Sequence, residues 1–160
     1  MTMLRPLQQW TCDYCRQVIE GANEGVLEWI EDGEYQAHGF RVVHYLPASP
    51  IKSTREAGCY HYADQPHKER LDTVLGPDGL ARLLLFLDAG SERCPLPVAG
   101  ARELAECCRR LMLPYYEEAR LYWGAATKDD FLPRGNRAGA YFEATLKGII
   151  EKYGSKTARS

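Results

Sequence analysis

The sequence predicts an α+β protein in which a β-hairpin-rich N-terminal module precedes a C-terminal helical region. Three observations predict it. His38, His44, His61 and His67, together with Cys12, Cys15 and Cys59, all fall within the first 67 of 160 residues. Apolar residues alternate with period two in the first half and change to helical spacing after His67. Asp32-Gly33 separates two runs of strand formers, a strong hairpin signal. With 45% hydrophobic and 26% charged residues, the chain suffices for one compact domain or a small module joined to a larger one. The predicted boundaries are 1–66 for the β-rich module, 67–154 for the helical region and 155–160 for a flexible tail.

Trp10 to Cys15 reads as a short lead-in, followed by a polar stretch in which Gly21 and Gly25 turn the chain. Val26 to Ile30 forms the first strand. The second includes Phe40 to Tyr45, with Phe40, Val42 and His44 on one face. Pro47 and Pro50 end the pairing because each lacks an N–H. Ala48 to Gly58 is read as a loop, and Cys59 to Tyr62 as a third short strand.

Lys68 to Leu75 is read as a short helix, and Pro77-Asp78-Gly79 opens a firmer one with Leu80, Leu83, Leu84 and Leu87 at helical spacing. Gly90, Pro95 and Pro97 mark a connection. A longer helix runs from about Ala99 to Met112, with Leu104, Cys107, Cys108 and Leu111 on one side. Pro114 kinks or restarts it, and Tyr115, Ala119, Tyr122 and Trp123 carry the apolar face onward. The last helix aligns Phe142, Leu146, Ile149, Ile150 and Tyr153, and Gly154 stops it.

Charge restricts the partners. Residues 1–75 hold 7 Lys+Arg against 11 Asp+Glu, and residues 76–160 hold 13 against 11. Neither half is a polycation, so broad coating of nucleic acid is disfavoured, while a basic face on the second half stays open as a nucleic-acid contact. The longest apolar run, Leu80 to Leu87, contains Arg82 and falls short of the roughly 18 residues of a membrane span. The opening residues show no apolar signal region. The expectation is a soluble cytoplasmic protein with no membrane partner and reduced thiols.

Cys12-x2-Cys15 anchors the functional argument. Two thiolates on a tight turn can hold one side of a tetrahedral Zn²⁺, and His44 at a strand end with Cys59 beyond it completes a Cys3His set. His61 could close the same site if its segment is extended. Cys59 is preferred because thiolate is the stronger zinc donor. His38 and His67 are read as solvated, and Cys94, Cys107 and Cys108 as core or connector thiols. A module with few aliphatic residues gains from a metal cross-link, which couples binding energy to folding. Residues 10–62 thus resemble zinc-ribbon and treble-clef modules, departing from the common ribbon in lacking a second CxxC. The resemblance implies a structural zinc.

The residues offer no catalytic set. His44-Tyr45-Leu46-Pro47 faintly echoes the HNH nucleases, but Val43 stands where an Asp or His would precede the histidine. A zinc deaminase needs a His-x-Glu before its CxxC, which is absent here. A redox CxxC follows a core strand at a helix start, and eleven preceding residues leave little room for one. Glu117-Glu118, Arg109-Arg110 and Arg120 are read as a solvated face. The expected function is that of a zinc-binding interaction or regulatory factor with a protein partner. The alternative is a nucleic-acid-associated regulator or a degenerate HNH-like nuclease.

Overall fold

Val26, Leu27, Trp29 and Ile30 are β-branched or bulky residues that fill both faces of a central strand. In the computed structural model, which describes residues 3–32, 36–51, 58–60, 67–88, 96–135 and 137–154, they lie in β3 (Gly25–Glu31). This strand follows a small antiparallel pair, β1 (Trp10–Thr11) and β2 (Val18–Ile19). It is flanked by β4 (Ala37–His44) and β5 (His67–Arg70), giving a three-stranded antiparallel sheet in the order β4-β3-β5. The helices follow, so the α+β class is as the sequence predicts.

The hairpin of β3 and β4 closes where Asp32 donates its N–H to the Gln36 carbonyl and accepts the Gln36 N–H on Oδ1. Gly33 of the predicted turn lies outside the described residues. His38 and Gly39 sit inside β4, which begins three residues before the Phe40 start read from the sequence. Glu28 faces Arg41 and Ile30 faces His38, so β4 carries one extra residue there. Gly39 has φ +70, the left-handed conformation that glycine adopts without steric cost. The Gly39 and Phe40 N–H groups at this bulge both donate to Glu103 Oε2 on α3 (Val98–Met112).

One face of the sheet packs aromatics. The Trp29 ring stacks on Phe40 and on His67, and meets Phe86 edge-on. On the other face Glu28 is fully buried, between its register partners Arg41 and Lys68.

The segment 68–75 departs from the expected single helix. Its first part is the strand β5, and α1 (Leu71–Val74) occupies only the second. Four polar residues have no apolar stripe to hold a helix against a core, so backbone pairing with β3 prevails. Next, α2 (Gly79–Leu84) is shorter than its leucine pattern suggests. Leu83 and Phe86 are buried, whereas Leu80, Leu84 and Leu87 are exposed.

Two compact units divide the chain, Gln8–Cys108 and Met1–Leu7 with Arg109–Ser160, so the boundary falls within α3. In the second unit Pro114 does separate helices, as expected. Tyr115 takes φ +69, and the chain restarts as α4 (Tyr116–Ala119), a 3₁₀ turn (Arg120–Tyr122) and α5 (Trp123–Lys128). The last helix, α6 (Glu143–Ile149), passes into a π turn over Ile150–Gly154. Leu146, Ile149, Ile150 and Tyr153 build the core with Tyr116 and Ala119. Phe142, placed on that face by spacing, is instead exposed in an extended conformation just before the helix.

The acidic pair of this unit overturns the solvated-face expectation. Glu117 and Glu118 are buried, as is Arg110. Glu117 receives two hydrogen bonds from Arg110, at 2.7 and 3.1 Å, and two from Arg120, at 2.9 and 3.0 Å. Glu118 accepts the Leu4 N–H at 2.8 Å. Arg110 and Glu117 stand on opposite sides of the Pro114 break, where helical spacing rules do not apply.

Candidate metal centre

Cys12 and Cys15 lie on the tight turn between β1 and β2. The Cys12 N–H bonds the Gln17 carbonyl, the Arg16 N–H bonds the Cys12 carbonyl, and Arg16 adopts φ +64 to reverse the chain. Asp13, between the cysteines, clasps β4. Its N–H donates to the Val42 carbonyl at 2.9 Å, and its Oδ2 accepts the Val42 N–H at 2.8 Å. This two-way contact holds the CxxC turn two residues from His44.

His44 ends β4 on the face of Phe40 and Val42, as the strand periodicity predicts. Its ring is fixed from both sides. Nε2 lies 3.2 Å from the Val18 carbonyl oxygen. A carbonyl only accepts, so this nitrogen carries the proton and Nδ1 presents its lone pair. Nδ1 lies 3.5 Å from Cys15 Sγ and 3.7 Å from Cys59 Sγ.

Cys59 does not arrive on a strand. Gly58 and Cys59 form a turn, with Gly58 at φ +53, and Tyr60 follows outside regular structure. The remainder of the expected strand, including His61, lies outside the described residues. A Cβ on Gly58 would come within 3.0 Å of Ser49 Cβ and Oγ and 2.8 Å of Leu46 Cδ1. Only glycine lets this turn press against the Ser49 loop.

The structure thus brings together all four residues singled out in the sequence. One donor atom from each of Cys12, Cys15, His44 and Cys59 lies within 4.8 Å of the others. Cys12, His44 and Cys59 are buried and Cys15 is half-buried. The set fits a metal ion. His38 lies within β4 and His67 is exposed, stacked on Trp29 and 3.5 Å from Glu31. Cys107 is buried and Cys108 half-buried, while Cys94 lies outside the described residues.

Electrostatics agree with a cation-dependent cluster. Burial pushes the Cys59 thiol up to about 12, with the neighbouring Cys12 and Cys15 adding to the rise and Ser49 opposing it. Burial also raises Cys12, against backbone hydrogen bonds from Cys15, His44 and Tyr14. The buried Cys12 and Cys59 sulfurs thus resist ionisation on their own, and a divalent ion reverses that balance.

Sequence reasoning missed the residues that support the ligands: Asp13, Ser49, Gly58 and the Val18 carbonyl. Gly58 alone had a local signal, a glycine directly before a candidate ligand. The others act through contacts distant in sequence. No protein-family profile, curated protein or solved structure matches the chain.

Proposed function

We propose that the chain holds one structural Zn²⁺ through Cys12, Cys15, His44 and Cys59 and serves as a cytoplasmic interaction or regulatory factor with a protein partner. The single observation that carries this reading is the His44 ring, whose Nε2 is held by Val18 while Nδ1 faces two sulfurs at 3.5 and 3.7 Å. Tetrahedral zinc, with bonds of about 2.3 Å to sulfur and about 2.05 Å to nitrogen, sets nitrogen and sulfur about 3.6 Å apart. Donation of the other ring nitrogen to a backbone carbonyl is the usual support of a ligating histidine.

Four protein donors leave no coordination position for water, which favours a structural over a catalytic ion. Thiolate and imidazole suit zinc and disfavour magnesium or calcium. The knuckle of β1 and β2 followed by the hairpin of β3 and β4 supports the likeness to ribbon and treble-clef modules. His44, turned into the cluster, is poorly placed as a nuclease base. Nor does a redox pair suit a turn between strands where burial raises the Cys12 thiol.

Support for a protein partner comes from the leucines at and after α2. Leu80, Leu84, Leu85 and Leu87 are 56, 50, 41 and 62% exposed, and clustered apolar surface is uncommon on chains that act alone. The thiols of Cys12, Cys15 and Cys59 suit a reducing compartment. No described helix is long and apolar enough to cross a membrane.

A second reading, nucleic-acid association through the helical unit, is favoured by charge. Met1–Leu7 with Arg109–Ser160 carries 11 Lys+Arg against 6 Asp+Glu, net +5, leaving 9 against 16, net −7, for Gln8–Cys108. Binding to short duplexes at two salt concentrations separates the readings, because phosphate contacts weaken steeply with salt.

Metal analysis of purified protein beside Cys15→Ser tests the zinc assignment. About one zinc per chain, lost with the fold in the variant, is expected. Well-folded wild-type protein without zinc would overturn it.

A further inference from the structure

Ser49 stands beside the cluster without belonging to it. Its Oγ lies 3.1 Å from Cys59 Sγ, 2.9 Å from the Ile51 carbonyl oxygen and 3.2 Å from the Ile51 N–H, which donates to it. The hydroxyl therefore has one proton and two acceptors to choose from, the Ile51 carbonyl and the Cys59 sulfur. We propose that Ser49 is a positioning residue of the metal centre, donating its hydroxyl proton to Cys59 when the ion holds that sulfur as a thiolate. The inference rests on the zinc reading above.

The chemistry of the acceptor decides the direction. A thiol can itself donate to the serine oxygen, leaving the hydroxyl proton on the Ile51 carbonyl. A thiolate has no proton to give and is an anionic acceptor, which draws the hydroxyl proton more strongly than a neutral carbonyl does. Ser49 thus reports and reinforces the metal-bound state.

The need for such a donor follows from the charge of the site. Three thiolates and one divalent ion leave a net charge of −1 in a mostly buried place, and hydrogen bonds to sulfur disperse it. Cys12 is served by the backbone N–H groups of Cys15, His44 and Tyr14. For Cys59, the hydrogen bond that favours the thiolate comes from the Ser49 side chain. Gly58 makes this contact geometrically available, since any Cβ there would fall within 3.0 Å of the serine side chain.

Ser49→Ala in the full chain tests the proposal, using zinc in competition with a chelator and cobalt as a coloured substitute. The expected result is zinc affinity weakened by about 10- to 100-fold. The ligand-field spectrum of four-coordinate cobalt should persist, while the thiolate-to-cobalt charge-transfer band moves to lower energy because one thiolate has lost its donor. Unchanged affinity, or weakened affinity with the band unmoved, would overturn the proposal and leave Ser49 a packing residue. If Ser49→Ala does not assemble with cobalt, Ser49→Thr decides. Assembly with the wild-type band supports the hydroxyl's role, and failure of both variants overturns it. Wild-type protein that binds neither metal would instead defeat the zinc reading itself.

Discussion

The Nε2 atom of His44 lies 3.2 Å from the carbonyl oxygen of Val18, a contact that joins the end of β4 to the strand following the CxxC turn. It does two things at once. It ties the knuckle to the sheet, and it leaves Nδ1 as the nitrogen that faces the sulfurs.

Metal removal should therefore loosen the Gln8–Cys108 unit rather than merely empty a surface site. Free zinc at a thousand times its Kd stabilises a folded chain by about 4 kcal/mol. Thermal unfolding with and without a strong chelator checks this, and the expected outcome is a lower Tm with chelator that excess zinc restores. An unchanged Tm on complete zinc loss would show that the ion does not hold the fold.

Gly58→Ala should damage the centre without touching a ligand. The substitution forces a side chain into φ +53 and toward Ser49 and Leu46, at a cost of about 1–2 kcal/mol for the left-handed conformation alone. Reduced zinc affinity together with a lower urea midpoint is expected. Wild-type values for both would refute the role given to the turn.

Glu103 is expected to matter for the sheet because its carboxylate receives the Gly39 and Phe40 N–H groups at the bulge of β4. Glu103→Ala removes the acceptor and should cost about 1–3 kcal/mol, the penalty for a buried donor left unsatisfied. Hydrogen exchange at those two amides gives a local check, with faster exchange expected in the variant.

In the helical unit, Arg110→Ala should be more harmful than removing both members of its ion pair. The single change removes one of the two arginines that hold the buried Glu117 carboxylate and leaves Arg120 paired with it, and breaking a buried pair typically costs about 3–5 kcal/mol. Arg110→Met combined with Glu117→Leu should lose less. Denaturant unfolding of the three proteins decides the order.

The same carboxylate makes stability depend on acid. Burial opposes ionisation of Glu117, but Arg110 and Arg120 outweigh it and hold the carboxyl below its ordinary value of 4.5. The folded value is the lower one, so the stabilisation is complete above the unfolded value and disappears as pH falls through the folded one. Urea midpoints of wild type and Glu117→Gln should therefore differ most near neutrality and converge in acid. A constant gap across the range would contradict this assignment.

The sequence by itself determined the α+β order, the central hairpin, the break at Pro114, and Cys12, Cys15 and His44 as residues that meet at the centre, with Cys59 preferred over His61 for the fourth place. Each of these has a local cause: side-chain alternation, a missing proline N–H, or the short spacing of two cysteines. Tertiary structure alone decided what local patterns do not encode. β5 is a strand because the edge of β3 offers hydrogen bonds to a polar segment without a helical stripe. The exposure of Leu80 and Leu84 depended on which face of a short helix met the core, and identical leucine spacing serves either face. Glu117 became a buried anion because Arg110, seven residues away across a helix break, could reach it. Asp13, Ser49 and the Val18 carbonyl support the centre through contacts spanning 29, 10 and 26 residues, and partners so far apart meet only when the chain has folded.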